Sequence, residues 1–275
     1  MSTTVTGVKA EADVRQVQLT WDLLPLSTMV DHYRIHAAQT RSSFTPSDDN
    51  LIGTTIGDIW LHSGLAVDGD SWSYHVVTVD AAGRHGEPSK VVTAEVPRSV
   101  TVTGEAILTV GSFDGKTLEF HHAPDQYAEI AAQHPDGVID VDQADDDTAA
   151  QWPYLLPGPG DAWAGRMAYA LTWTFELEEV PTAPVMAIWL VDTTRLGGVL
   201  EIEVNGESVE PRELVKGGTA GSRKGDIADP DAGLLPSYHE FTLADGLLDR
   251  GENSVVFTLA EGGWLAWDAV GVFEA

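Results

Sequence analysis

Residues 250–275, "RGENSVVFTLAEGGWLAWDAVGVFEA", decide how the second half of the chain is read. The stretch predicts a tight turn at Arg250–Asn253, a strand from Ser254 to Leu259, a glycine-rich loop and a last strand. Within the first strand Val255, Phe257 and Leu259 recur every second residue, the period of a half-buried β-strand. Trp264 and Trp267 are three apart, so two residues in one regular strand would face opposite ways. Trp267 alternates with Ala269 and Gly271 and is expected to pack. Trp264 falls in the glycine-rich turn and is the better candidate to face a ligand.

Working outward, the same two-residue period runs through most of the chain. It appears in "YALTWTFEL" (169–177), where Leu171, Trp173 and Phe175 share a face, then in "VMAIWLVDT" and "GVLEIEVNGESVE". Asn205-Gly206 in the last of these predicts a two-residue hairpin turn. Helical periodicity is scarce. "DQYAEIAAQHP" (125–135) predicts one short helix stopped by Pro135. In the first half, Val17, Leu19 and Trp21 share a face, as do Tyr33 and Ile35, and Trp72, Tyr74, Val76 and Thr78. Turn residues recur at intervals of about 8 to 12 positions, the rhythm of a β-sandwich. The linker "EVPRSVTVTGEA" (95–106) breaks that rhythm at Pro97, so the reading is two domains, 1–97 and 104–275.

Composition narrows the function. The chain has 275 residues with 43 acidic against 15 basic side chains, a formal net charge of -28. Such a surface repels nucleic acid and anionic membranes, so neither is expected as a partner. Cysteine is absent, which excludes disulfides, thiolate metal sites and cysteine nucleophiles. The opening "MSTTVTGVKA" has neither a basic nor an apolar signal region, so no signal peptide is expected in this sequence. No apolar run approaches the roughly 18 residues of a spanning helix. No Ser/His/Asp order or G-x-S-x-G pattern is visible, and no catalytic constellation emerges.

Two resemblances follow from particular motifs. "VTGVKA", "LTWD", "DHYRIHAA" and "YHVVTVDAAGRHGEPS" (74–89) together resemble a fibronectin type III domain, a spacer or binding module. The second half resembles the carbohydrate-binding-module-like jelly roll (galactose-binding-like) that ends rhamnogalacturonan lyases of polysaccharide lyase family 4. The pieces are "VGSFDGKTLEF", "HPD", "WP", "LTWTFEL", "LEIEVNG", "GSRKGD", "YHEFTLADGLLDRGENSVVFTL" and "WLAWDAVGVFE", in order over about residues 107–275. The fold expected is therefore all-β: a fibronectin type III sandwich, then a jelly roll.

The resemblance implies a non-catalytic accessory region of a polysaccharide lyase. It also implies a polysaccharide partner of the pectin type and a catalytic domain that lies outside these two domains. The location it implies is secreted or extracellular, given a signal peptide on the parent protein. Two alternatives stay open: a structural spacer supporting the catalytic domain, and an enzyme using scattered acids between the domains.

Sugars stack on aromatic rings while polar neighbours take their hydroxyls. Trp152, Tyr154 and Trp163 lie in "WPYLLPGPGDAW", where no strand pattern forces burial. They read either as a hydrophobic plug or, with Trp264, as a stacking platform, with Asp161 and Arg166 as hydrogen-bonding neighbours. Trp173 reads as core, and Trp189 fits either setting. Lys216, Arg223 and Lys224 in "KGGTAGSRKGD" form a basic cluster able to hold a uronate carboxylate, or else to neutralise Asp226 and Asp229.

The acidic run "DVDQADDD" (140–147) lacks the glycine and terminal glutamate of an EF-hand. It reads as a solvated charge run. By analogy with carbohydrate-binding jelly rolls, Asp114 and Asp268 are the candidate ligands of a structural calcium. His121, His122 and His134 lack metal-ligand spacing and read as part of a turn.

Overall fold

In the computed structural model, residues 4–25, 28–144 and 147–275 are described. The chain forms two compact units that meet in sequence between Val102 and Thr103.

The first unit has seven strands: β1 (Lys9–Asp13), β2 (Gln16–Thr20), β3 (Val30–Ala38), β4 (Leu51–Thr55), β5 (Ile59–Ser63), β6 (Asp70–Asp80) and β7 (Val92–Val96). They build a three-stranded sheet, β1-β2-β5, and a four-stranded sheet, β4-β3-β6-β7. This is the fibronectin type III arrangement that the motifs imply. Val17, Leu19, Trp21, Tyr33, Ile35, Tyr74 and Val76 are buried in one cluster, so the alternation read in the sequence is the alternation of the core. The Asp80-Ala-Ala-Gly turn closes on itself: the Asp80 carboxylate accepts from the backbone N–H groups of Ala82 and Arg84, each at 2.9 Å. Tyr74 is fully buried, and its hydroxyl lies 3.0 Å from His62 Nδ1.

A short turn of helix, α1 (Val100–Thr103), lies at the junction of the units. The second unit then runs from β8 (Glu105–Gly111) through α2 (Tyr127–Gln133), β9 (Val138–Asp142), β10 (Leu155–Pro157), β11 (Ala170–Leu177), β12 (Pro184–Thr193), β13 (Gly198–Val204), β14 (Glu207–Leu214), β15 (Ser237–Thr242), β16 (Gly251–Gly262) and β17 (Trp264–Glu274). One sheet has the order β14-β13-β16-β11-β9. In the other, β10-β17-β12-β15, strand β8 also pairs with β17. The long edge of β17 opposite β12 is shared: β8 pairs with residues 269–274 and β10 with 264–266. The result is the expected jelly roll.

Local rules account for several elements. The β13–β14 turn has positive φ at both Asn205 and Gly206, the geometry that makes Asn-Gly favourable in a two-residue hairpin. Helix α2 ends at Gln133, just short of Pro135, which cannot extend it.

The C-terminal stretch departs from the sequence-based expectation in three ways. Strand β16 begins at Gly251, so the expected turn at 250–253 is largely strand. Strand β17 begins at Trp264, so that ring is not in a turn. The pairing of β12 with β17 skips Asp268, passing from Trp189–Ala269 to Leu190–Trp267. A bulge of this kind reverses the alternation. Trp267 therefore joins Val270 and Val272 in the core rather than Ala269 and Gly271. β16 and β17 also belong to different sheets, so the Gly-Gly between them carries the chain across the sandwich.

The core is centred on aromatic edges. The Trp152 ring lies 5.4 Å from that of Trp267 and 5.9 Å from Phe257, and Phe257 is 5.6 Å from Trp267. Trp189 is buried on the outer side of its sheet, between Phe113 and Tyr238.

Two outcomes follow. Trp152→Ala removes a fully buried indole from the centre of the second unit. It should cost about 3–5 kcal/mol, read as a lowered melting transition of that unit with the fibronectin unit unchanged. In the first unit, burial lowers the His62 pKa to about 4 from its ordinary 6.5. A folded-state pKa below the unfolded one means that stability is present above about pH 6.5 and is lost as pH falls through that window toward 4. Thermal melts from pH 7 to 4 should show a steeper loss for the native unit than for His62→Gln.

Candidate functional site

A cleft of about 420 Å³ opens on the second unit. It is lined by Asp125, Tyr127 and Ala128 at the start of α2, Gly160, Asp161 and Trp163, Thr194 and Leu196, Ser222 and Arg223, and Gly263 and Trp264. Five chain segments converge there, and Asp161 holds two of them. Its carboxylate is buried and accepts a short hydrogen bond from the Tyr127 hydroxyl and another, at 2.8 Å, from the backbone N–H of Trp163. Burial, and then the hydrogen bond to Asp161, push the Tyr127 hydroxyl well above the ordinary phenol range, so it remains a neutral donor. The Arg166 N–H closes the same loop onto the Asp161 carbonyl. Trp163 is held at the tip, and 86% of its surface is exposed.

The facing wall depends on Asp192, a residue the sequence reading did not single out. It is fully buried on β12, beside a bulge in that strand. Its Oδ1 accepts from Gly218 N–H at 2.6 Å and Leu235 N–H at 3.3 Å. Its Oδ2 accepts from Ala220 and Gly221, both at 2.8 Å. Burial raises its pKa, and the four N–H bonds pull against that rise. These bonds gather the 217–221 segment, and Ser222 and Arg223 follow it directly into the cleft. Gly221 has no room for a side chain: a Cβ there would lie 2.8 Å from Asp192 Cβ and 3.3 Å from Trp264 Cζ3. The signal in the sequence was the glycine-rich loop itself. Nothing in the linear order pointed to an acid on an earlier strand, with a whole hairpin between the two.

The structure thus sorts the candidate residues. Trp163, Trp264 and Arg223 come together. Trp264 is only 6% exposed and offers an edge of the wall rather than a platform. Trp152 and Tyr154 are fully buried, which fits the hydrophobic-plug reading and not the stacking platform. The reason is that residues 155–157 form β10 against β17 and draw the preceding aromatics inward. The Tyr154 hydroxyl donates to the Ser222 carbonyl at 3.1 Å and supports the loop from beneath. Lys224 turns to Asp229 at 3.8 Å, and neither it nor Lys216 lines the cleft. Arg166 is exposed and does not line the cleft.

Asp114 and Asp268 have separate protein partners. Asp268 Oδ1 accepts the backbone N–H groups of Gly115 (2.7 Å) and Lys116 (3.0 Å), and the Asp114 carboxylate lies 3.6 Å from Lys116 Nζ. Among the described residues no group of three or more His, Cys, Asp or Glu side chains is placed to hold a metal. His121 and His122 have ring centroids 3.8 Å apart, while His134 Nδ1 bonds the Val138 carbonyl. In the acidic run, Asp142 and Asp147 accept from the N–H groups of Ala144 and Ala150. Asp145 and Asp146 lie outside the described residues.

The family model described as "CBM-like: Polysaccharide lyase family 4, domain III" matches residues 106–272, most of the second unit. The chain belongs to this family. Its domain III is the jelly roll that carries the cleft. No curated protein is similar enough to the chain to count as a match.

Among solved structures, the fibronectin type III domain of human fibronectin type III domain containing protein 3 is 12% identical, with 37% of this chain and 92% of that one covered (TM-score 0.30). A family 35 carbohydrate-binding module from an environmental isolate is 10% identical over 39% of this chain and 71% of that one (TM-score 0.27). The pectate lyase PelI from Erwinia chrysanthemi, solved with tetragalacturonic acid, is 14% identical over 34% of this chain (TM-score 0.27). Only 28% of that enzyme is covered.

If Asp192 holds the loop, Asp192→Asn should release it, because the amide nitrogen confronts N–H donors. The expected cost is about 1.5–3 kcal/mol. Faster tryptic cleavage after Arg223 and Lys224 in the variant would be the direct reading.

Proposed function

We propose that this chain is a carbohydrate-binding accessory region of a polysaccharide-degrading enzyme, and that domain III holds its glycan at the Trp163 cleft. The observation that carries this reading is Trp163 itself. A tryptophan with 86% of its surface in water is held rigidly by a buried carboxylate, at the mouth of a cleft lined by Asp125, Asp161, Ser222 and Arg223. An indole so exposed loses hydrophobic stabilisation unless something covers it. A sugar ring can cover it with C–H groups while the polar lining takes its hydroxyls. Family membership supports the same reading. We further propose a parent of the rhamnogalacturonan lyase type, exported from the cell, with its catalytic domain elsewhere and a pectic polysaccharide as the target.

A second reading has its own observation. On the first unit, Leu23, Met29, Ile56 and Ile59 are all more than half exposed, and Leu23 and Ile56 line one shallow depression. This apolar surface fits a spacer that docks against another domain.

Affinity gel electrophoresis on pectic and other plant polysaccharides separates the two. Loss of one stacking ring removes about 1 kcal/mol, so Trp163→Ala should weaken retention several-fold and leave the melting temperature unchanged. Unchanged retention in Trp163→Ala, or no retention of the native chain by any polysaccharide, would favour the spacer.

A further inference from the structure

We infer that the cleft selects an uncharged sugar residue over a uronate; this rests on the glycan-binding reading above. The argument begins with the charges that line it. Asp125 and Asp161 contribute two carboxylates, and Arg223 contributes one guanidinium. The other cations of the expected basic cluster do not help: Lys224 is turned to Asp229, and Lys216 does not line the cleft. Lys116 likewise faces Asp114. A carboxylate ligand is held best where paired or bidentate cationic donors outnumber acids, and here the lining acids outnumber the cation.

The donor and acceptor inventory points the same way. The carboxylates of Asp125 and Asp161 offer acceptor oxygens, and a uronate carboxylate offers acceptors as well. A sugar hydroxyl both donates and accepts. It can donate to Asp125, which is exposed, and accept from Arg223, which makes no ion pair among the described residues. The Asp161 carboxylate is already occupied by the Tyr127 hydroxyl and the Trp163 N–H, so it positions the ring.

The apolar part of the lining, Trp163, Leu196, Ala128 and the edge of Trp264, offers a surface for the C–H face of an uncharged ring. At longer range the net charge of -28 opposes the approach of any polyanion. In a pectic polymer the cleft would therefore take neutral side chains rather than a galacturonate backbone.

The full chain should be run in affinity gels containing neutral polymers (galactan, arabinan, mannan, xyloglucan) or polygalacturonate. Each should be run at low salt and at roughly 1 M salt, where the screening length is about 3 Å. At least one neutral polymer should retain the chain equally at both salts, and polygalacturonate should not retain it. Asp125→Asn, Arg223→Gln and Trp163→Ala should each weaken neutral retention several-fold. Salt-sensitive retention on polygalacturonate in preference to the neutral polymers would overturn the inference and leave the glycan-binding reading standing. So would neutral retention that Trp163→Ala weakens several-fold while Asp125→Asn and Arg223→Gln leave it intact. Absence of retention on every polymer, or neutral retention indifferent to Trp163→Ala, would overturn both.

Discussion

The second unit depends on one constraint: its last strand, β17, is buried on both faces from Trp264 to Phe273. An antiparallel sheet in a sandwich usually shows water one face. Here the inner face meets the other sheet through Trp267, Trp152 and Phe257. Loops and aromatic side chains must cover the outer face, and loops carry backbone N–H groups that need partners once water is excluded. Two buried carboxylates supply them. Asp268, at the bulge in β17, takes the N–H groups of Gly115 and Lys116, and Asp192 on the neighbouring strand takes four from the glycine-rich loop and Leu235.

This arrangement explains how so acidic a chain tolerates buried acids. Removing a carboxylate from water is costly unless hydrogen bonds replace its hydration. Peptide N–H groups do so here for both acids. Bulges in both paired strands aim these acids out of the regular alternation. Of the two loop anchors, Asp268 and Asp192, the second shapes the cleft.

The cleft inherits its rigidity from the same device. Asp161 repeats the motif on a smaller scale, joining the start of α2 to the Trp163 loop with one hydroxyl and one N–H donor. Such preorganisation would favour the proposed glycan binding, since less conformational freedom is lost when a ligand meets groups already held in place. Among the described residues, the fibronectin unit shows no comparable loop anchoring a tryptophan in water; its exposed large side chains are aliphatic. The two units thus present different exposed side chains, an indole on the second and Leu23, Met29, Ile56 and Ile59 on the first.

The sequence by itself determined the all-β class, the two strand rhythms and the core faces wherever alternation is regular: Leu171, Trp173 and Phe175, or Tyr33 and Ile35. It also determined the turn at Asn205-Gly206 and the short helix before Pro135. Those features follow from local periodicity and backbone chemistry, which act over a few residues. Tertiary structure alone decided the rest. For Trp152 and Tyr154 the aperiodic loop left plug and platform both open, and the short strand after them, paired with β17, draws them into the core. Trp267 changed partners because a single bulged residue reverses the face of a strand. Asp192, Asp161 and Arg223 acquired their roles only when the fold brought distant N–H groups and loops to them, and no local pattern records which distant donor a buried carboxylate will meet.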